Sequence, residues 1–269
     1  IVFALVAVYF INLYVFQNYQ IPSSSLEKTL CVGDFLYVSK MAYGARVPQT
    51  PLSMPLVQHT MPNWLGGGKS YFDNPHWEYK RLKGWTSPKK GDIVVFNFPT
   101  GDTVCTQMQN PDYYTLCHHY GTETVDNRQD IFGEIVTRPV DRRENYVKRC
   151  VGTPGDSLKI INNVIWTKSA MESDWVQEPQ REGLQLNYLV QTDGHSFSNK
   201  YMEKIGISVD DRQQLDATTW HFPLTQSMRD ELAKNPHVLQ MIVEPEIYGG
   251  AVYPLGHNEW TRDNYGAIY

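Results

Sequence analysis

The sequence predicts a mostly β protein that begins with one apolar helix. Residues 1–16 are apolar except for Asn12. From residue 35 onward, short runs rich in aromatic and β-branched residues recur between turn-forming glycine, proline and asparagine, which is the pattern of antiparallel strands. One later stretch, residues 226–234, carries helix-start and helix-stop signals. With 41% hydrophobic residues among 269, the chain has enough apolar side chains for one large domain or two small ones.

The first segment predicts a membrane anchor. A helix needs about 20 apolar residues to span a bilayer, whereas the run 1–16 is slightly shorter and opens on Ile1 rather than methionine. We therefore expect residues 1–16 to be part of a transmembrane helix whose start is missing. The alternatives are the apolar region of a secretory signal peptide and a buried core helix. The signal peptide is disfavoured because residues 14–19 offer no small-residue cleavage site.

The next elements alternate between strands and irregular chain. The Gly33-Asp34 pair predicts a turn that leads into a strand at residues 35–40. Six prolines and the triplet Gly66-Gly67-Gly68 predict an irregular insertion at about residues 47–90. Regular structure is expected to resume at residues 91–99, which are apolar on both faces at their centre, as in a buried strand.

The second half of the chain predicts a hairpin and a capped helix. After a loop-rich stretch at residues 100–143, strands are expected at three places: 146–151, 157–161 and 164–167. Asn162-Asn163 suits a two-residue hairpin turn, because asparagine tolerates positive φ. A further strand is predicted at 186–190. In the predicted helix 226–234, Thr225 is the expected cap and Asn235-Pro236 the expected end.

Composition excludes some classes of function. The formal net charge is −5 and no basic stripe runs along the chain, so nucleic-acid binding is not expected. The four cysteines lack the close pairs of zinc sites. Cys105 and Cys117 either form a disulfide across their short loop or remain free thiols, and the sequence leaves both open. His118-His119 is weak evidence for a metal site, because neighbouring side chains point apart in extended chain.

Two segments offer the chemistry of a hydrolase. Ser23-Ser24-Ser25 follows the apolar run directly, and Lys148 lies between apolar neighbours in a predicted strand. A serine hydroxyl becomes a good nucleophile when a base takes its proton. No G-x-S-x-G elbow is present, but a neutral lysine can act in place of histidine. That requires its pKa to fall by roughly three units, about 4 kcal/mol, which burial can supply. The alternative is an ordinary solvent-facing strand lysine.

Four stretches in order resemble bacterial type I signal peptidases, the serine–lysine proteases of the S26 family. The stretches are Tyr19–Ser25, Gly33–Gly44, Gly91–Phe96 and Tyr146–Asp156. The last, with Tyr146-Val147-Lys148-Arg149 followed by Gly152-Thr153-Pro154-Gly155-Asp156, is the most specific. By this resemblance the protein is a membrane-bound endopeptidase that removes signal peptides from exported preproteins.

The resemblance assigns roles to individual residues. Ser25 matches the nucleophile, Lys148 the general base, and Ser23 the hydroxyl that forms the oxyanion hole with the Ser25 backbone N–H. Ser24 is expected to be a spacer. Five residues match the shallow pockets for small side chains at positions −1 and −3 of the substrate: Ile21, Pro22, Leu26, Tyr146 and Val147. The resemblance implies no metal and no cofactor.

The resemblance also implies the domain plan and the location. We expect a β catalytic core at 17–168, followed by a smaller inserted α+β or β region at 169–269 that is incomplete. The family's later Gly-Asp-Asn-Arg segment is absent, which we interpret as truncation. The expected partners are preprotein signal peptides and the lipid bilayer, with the catalytic domain on the periplasmic side of the bacterial inner membrane. Two alternatives stay open: a non-catalytic membrane-anchored scaffold and a Ser–Lys self-cleaving regulator.

Overall fold

The computed structural model describes residues 2–99, 101–161, 163–178 and 183–244. These residues fall into two compact units. Within the described part of the chain, the first unit consists of residues 2–19 and 36–153, and the second of residues 20–35 and 154–244. The described residues are mostly β, as the sequence predicts. The predicted domain boundaries remain predictions, and the end of the predicted region 169–269 lies outside the described residues.

The chain begins with a short apolar helix. Helix α1 spans Val2–Tyr14, 13 residues without a charged side chain and without a buried one. The predicted transmembrane segment is therefore observed only as this short helix. Across the described ranges, no helix has both the length and the apolar character needed to cross a membrane. Strand β1 (Phe16–Gln20) follows and pairs with β2 (Phe35–Ser39), which confirms the strand predicted at 35–40.

The first unit contains three more strand pairs and three helices. In chain order they are β3 (Arg46–Val47), β4 (Lys80–Arg81), β5 (Ile93–Asn97), β6 (Thr103–Cys105), α2 (Tyr113–Tyr120), α3 (Thr122–Asn127), α4 (Gln129–Phe132), β7 (Ile135–Thr137) and β8 (Asn145–Arg149). The antiparallel pairs are β3 with β4, β5 with β8, and β6 with β7. The predicted insertion 47–90 has little regular structure, as expected: besides β4 and the end of β3, it holds one turn of 3-10 helix at Asn63–Leu65 and two isolated β-bridges.

Two expectations for this unit are wrong. Strand β5 is not buried: Ile93 and Phe96 are each 37% exposed, and among the described residues β5 has one strand neighbour rather than one on each side. The stretch 100–143, predicted as loop-rich, holds the helices α2 to α4. Asp112, which reads as a turn residue, caps α2 by accepting hydrogen bonds from the backbone N–H groups of Tyr114 and Thr115. The short helices are held by a buried cluster of Cys105, Leu116, Val125 and Phe132.

The second unit is built on two antiparallel sheets. Its elements are β9 (Ser157–Ile161), β10 (Val164–Lys168), β11 (Val176–Gln177), β12 (Leu186–Thr192), α5 (Asn199–Ile205), β13 (Gln213–Gln214), β14 (Thr219–Leu224), α6 (Gln226–Leu232) and β15 (Val238–Val243). The strand orders are β11-β10-β9 and β13-β14-β12-β15. The larger sheet packs its apolar face on α5 and α6 around the fully buried side chains of Phe222, Val190 and Leu232.

Local sequence signals in this unit are confirmed. Val164 pairs with Ile161 across the predicted two-residue turn, and Asn163 takes the positive φ of 61° that the turn requires. Asn162 lies outside the described residues. Thr225 caps α6 by accepting a hydrogen bond from the Met228 backbone N–H, as predicted.

Candidate active site

The predicted nucleophile lies on a single turn of 3-10 helix in the second unit. Ser23 is extended, with φ −141° and ψ 155°, and the helical turn spans Ser24–Leu26. The Glu27 backbone N–H donates to the Ser24 carbonyl at 2.8 Å and closes the turn. Ser23 and Ser25 are both exposed. The sharp change from extended chain to helical turn therefore presents both hydroxyl-bearing residues at the surface.

Hydrogen bonds hold the chain segments before and after this turn in place. Ile21 is 4% exposed, and its backbone pairs on both sides: its N–H donates to the Asp34 carbonyl and its carbonyl accepts from Gly33, each at 2.9 Å. The Asp34 carboxylate accepts from the Cys31 backbone N–H at 2.8 Å. On the far side of the turn, the Lys28 ammonium donates to the Gly206 carbonyl at 2.7 Å. The loop from 21 to 34 is thus fixed at both ends.

Ser24 does more than separate its neighbours. Its hydroxyl donates a 3.1 Å hydrogen bond to the Asp211 carboxylate, across a sequence separation of 187 residues. The expectation that Ser24 is only a spacer is wrong, because this bond anchors the helical turn to the chain beyond α5. Sequence reasoning missed Asp211, and the Asp210-Asp211 pair offers no signal that would have distinguished it from ordinary surface acid.

The predicted base lies on β8 in the first unit. In the antiparallel ladder, Lys148 pairs with Val94 and Val147 with Val95. Lys148 is exposed in the structure, so its side chain faces solvent, as in the second of the two alternatives that the sequence left open, and its role as general base stays a prediction. The physical reason for this exposure is the width of the sheet, since β5 is the only strand beside β8 among the described residues. Ser25 therefore belongs to the second unit and Lys148 to the first, and each is described within its own unit.

Three of the resembling segments are joined by hydrogen bonds at the end of β8. The Cys150 backbone N–H donates to the Asp92 carbonyl at 2.8 Å, and the Gly91 N–H returns a bond to Cys150 at 2.7 Å. The Asp92 carboxylate accepts from the Lys89 backbone N–H at 2.9 Å and from the Tyr43 hydroxyl at 2.8 Å. These two bonds, the backbone one first, hold the pKa of Asp92 below its ordinary value. Asp92 therefore joins the strand β8 to the chain around Tyr43.

The predicted pocket residues differ in exposure. Ile21 is buried, Pro22 is exposed and Leu26 is half-buried. Tyr146 and Val147 are half-buried on β8, and the Tyr146 ring packs on Phe98 with a 4.7 Å centroid separation. Burial raises the pKa of the Tyr146 hydroxyl.

The structure contains two sets of polar residues that sequence reasoning did not find. Lys40 is partly buried at the end of β2, where it donates to the Gln17 side chain at 2.7 Å. Burial, followed by the charges of Arg46 and Arg81, lowers its pKa to about 8.

In the second unit, Asp193, His195 and His237 converge. The Asp193-Gly194-His195 turn was the available signal, but nothing local in the sequence points to His237.

The structure also shows where the four cysteines and the pair His118-His119 lie. All four cysteines are free thiols in the structure. Cys105 is buried and Cys117 packs against the same cluster, so the free-thiol alternative describes this structure. His118 and His119 lie in the last turn of α2, not in extended chain as expected, and their rings meet edge to face with centroids 5.7 Å apart.

Comparison with known proteins identifies the family. The family model described as signal peptidase, peptidase S26, matches residues 1–227. The chain belongs to that family, and the predicted resemblance is confirmed.

Individual relatives are more distant. The signal peptidase I of Haemophilus influenzae is 28% identical over 154 residues, which cover 57% of this chain and 32% of that protein. That of Buchnera aphidicola subsp. Baizongia pistaciae is 25% identical over 184 residues, 68% of this chain and 37% of the relative. The Aquifex aeolicus enzyme is 50% identical over a short stretch of 44 residues. The chain thus spans about a third of the length of the first two relatives. No solved structure matches it significantly.

Proposed function

We propose that this chain is the catalytic part of a serine endopeptidase that cleaves N-terminal signal peptides from exported preproteins. The observation that carries the proposal is the family match over residues 1–227. The exposed position of Ser25 on an anchored helical turn supports it. A nucleophile must be accessible to a peptide carbonyl and held in one orientation, and both conditions are met by the loop that contains Ser25.

The proposed reaction uses the side chains that the resemblance assigns. Neutral Lys148 takes the proton of the Ser25 hydroxyl, and Ser25 attacks the carbonyl carbon of the small residue at −1. The Ser23 hydroxyl and the Ser25 backbone N–H stabilise the oxyanion. The amine leaves with a proton from the lysine, and water then hydrolyses the acyl-enzyme. The proposal needs no metal and no cofactor.

Because Lys148 is exposed in the structure, the proposed mechanism gives the bound peptide a second role, which is to shield Lys148 from water. A lysine acts as a base only when water is largely excluded from its ammonium group. Within the described residues, β8 pairs with β5. We propose that the signal peptide binds in extended form alongside a strand edge, in the manner of β-strand addition, and covers Lys148. The resemblance assigns the pockets for the small side chains at −1 and −3 to Tyr146 and Val147 on β8 and to Ile21, Pro22 and Leu26 of the serine loop.

The proposed location is the periplasmic face of a bacterial inner membrane. Helix α1 carries no charged residue, and its outward apolar side chains include Phe3 at 86% exposure and Phe10 at 53%. Such a surface is favourable in contact with lipid and unfavourable in water. The N-terminal segment is proposed to attach the protein to the bilayer from which a signal peptide emerges.

Mass spectrometry of a cleaved preprotein tests the proposal. The full-length protein in lipid vesicles is incubated with a preprotein carrying Ala-x-Ala before its cleavage site. We expect a cut after the −1 alanine, reduced by at least about 10³-fold in Ser25→Ala and in Lys148→Met. Matched controls are Ser87→Ala and Lys83→Met, which alter exposed residues of the first unit and should cleave normally. Wild-type turnover in Lys148→Met would refute the base assignment, and no cleavage by the wild-type protein would favour the scaffold alternative.

A further inference from the structure

The side chains of two histidines and one aspartate converge at one place on the surface of the second unit. The Asp193 carboxylate contacts His195 Nδ1 at 3.0 Å through one oxygen and His237 Nδ1 at 2.9 Å through the other. The two imidazole rings lie 4.0 Å apart with an interplanar angle of 24°. One ligand atom of each residue lies within 4.8 Å of the other two. All three side chains are accessible to solvent, at 36% to 66% exposure.

The backbone around the cluster is fixed before any ligand arrives. Asp193 follows β12 directly, and its backbone N–H donates to the His237 carbonyl at 3.2 Å. Gly194 turns the chain with a φ of +95°, which brings His195 back over the aspartate. His237, just before β15, donates its backbone N–H to the Asn235 side chain at 3.0 Å. Thr192, which is 1% exposed, anchors the turn through bonds to Thr218.

The chemistry of the three donors indicates what they bind. Imidazole nitrogen combined with one carboxylate oxygen is a common ligand set for zinc and related divalent transition metals, whereas calcium and magnesium prefer oxygen throughout. We propose that Asp193, His195 and His237 bind one divalent transition-metal ion such as Zn²⁺, with at least one coordination position left to water.

The required rearrangement is small. Tetrahedral zinc with bonds of about 2.0–2.1 Å places its ligand atoms about 3.3 Å apart. The two His–Asp contacts, each to a different carboxylate oxygen, are shorter than this, and all three ligand atoms lie within 4.8 Å of one another, a range that rotation of the exposed imidazoles about their side-chain bonds can close. On binding, the metal ion takes the place of the protons in the hydrogen bonds that join the His195 and His237 rings to the Asp193 carboxylate.

Metal binding at this point is expected to stabilise the larger sheet. Strands β12 and β15 are neighbours in the sheet, with Thr192 opposite Val238. The ion therefore links the end of β12 to the start of β15. A ligand that binds only the folded state raises its stability in proportion to the logarithm of ligand concentration. The inference does not depend on peptidase activity.

Metal titration of the full-length protein tests the proposal. Co²⁺ absorption and Zn²⁺ calorimetry should show one site per chain, with affinity reduced at least tenfold in His237→Ala and in Asp193→Asn. His195→Asn, which removes the imidazole but keeps a polar side chain, should behave likewise, and circular dichroism checks that each variant folds. The matched control is His119→Ala on α2, which should leave the Asp193 site unchanged. Zn²⁺ should raise the unfolding temperature of the wild type and of the control only.

Either of two results would overturn the inference. The first is a wild-type protein without a stoichiometric site. The second is unchanged affinity in both His237→Ala and Asp193→Asn, with a thiolate-to-cobalt charge-transfer band showing that the free cysteines are the ligands. Preprotein cleavage is measured in parallel, so that failure of the metal site and failure of the proposed peptidase activity are separately visible.

Discussion

Arg142 donates a 2.7 Å hydrogen bond from Nε to the Thr50 hydroxyl, although 92 residues separate them in the chain. The same guanidinium donates to the Thr50 carbonyl at 2.9 Å and to the Gln58 carbonyl at 3.2 Å. The neighbouring Asp141 accepts from the backbone N–H groups of Gln49 and Thr50. Because Thr50 is fully buried and Arg142 is 8% exposed, these bonds attach the irregular insertion to the segment that leads into β8.

Replacing Arg142 is therefore expected to destabilise the first unit. Arg142→Met removes three hydrogen bonds and leaves two buried acceptors of Thr50 with fewer partners, at a cost of about 3 kcal/mol in the free energy of unfolding. The control is Arg128→Met, whose ion pair with Asp130 is more than half exposed and should cost less than about 0.5 kcal/mol. Urea denaturation measures both, and equal effects in the two variants would show that the buried network contributes nothing.

The bond between Ser24 and Asp211 predicts a defect in catalysis rather than in folding. If it holds the serine turn in its reactive orientation, Ser24→Ala lowers kcat/KM by about tenfold, equivalent to about 1.4 kcal/mol. Asp211→Asn should produce a smaller loss, because the amide oxygen still accepts a hydrogen bond.

A double-mutant cycle separates this bond from unrelated effects. Ser24→Ala combined with Asp211→Ala should be no slower than Ser24→Ala alone, since both changes remove the same interaction. Losses that multiply in the double variant would show that the two residues act independently. Preprotein cleavage kinetics supply the measurement, and the thermal unfolding of each variant shows whether the turn alone is affected.

The strands and caps that were predictable from sequence depend on local chemistry. The hairpin of β9 and β10 follows from two apolar runs and an asparagine that tolerates positive φ. The α6 cap follows from a threonine directly before the helix. Non-local features were not predictable. The exposure of Lys148 depends on how many strands flank β8, and the partner of Ser24 lies 187 residues away. The histidine cluster likewise requires the pairing of β12 with β15.

The α6 cap gives a local prediction in the second unit. Thr225 is 7% exposed and its hydroxyl accepts from the Met228 N–H at 3.2 Å. Thr225→Ala leaves that donor without its partner and should cost about 1 kcal/mol of stability. Thr225→Ser retains the hydroxyl and should cost clearly less. Thermal unfolding of the two variants distinguishes the cap from simple packing, because packing loss alone would affect both in proportion to the atoms removed.

The lysine with a lowered pKa makes the stability of the first unit depend on pH. Burial and the nearby arginines lower the pKa of Lys40 from 10.5 to about 8, so the folded protein disfavours its ammonium form. Below pH 8 the group is protonated in both states and the folded state carries the full penalty. Between pH 8 and 10.5 the unfolded chain binds more protons than the folded one, and stability therefore rises with pH.

Lys40→Met removes this dependence while keeping most of the side-chain volume. The free energy of unfolding of the variant minus that of the wild type should fall by about 2 kcal/mol between pH 7 and pH 10, from about 1.36 kcal/mol per unit of pKa shift. Tyrosine ionisation affects both proteins equally and cancels in the difference. Lys83→Met, at an exposed position, should show a difference that does not change with pH. Urea denaturation across this range provides the measurement. A difference for Lys40→Met as flat as that of the control would mean that Lys40 stays solvated in the folded protein, with its ammonium outside the apolar contacts of β2.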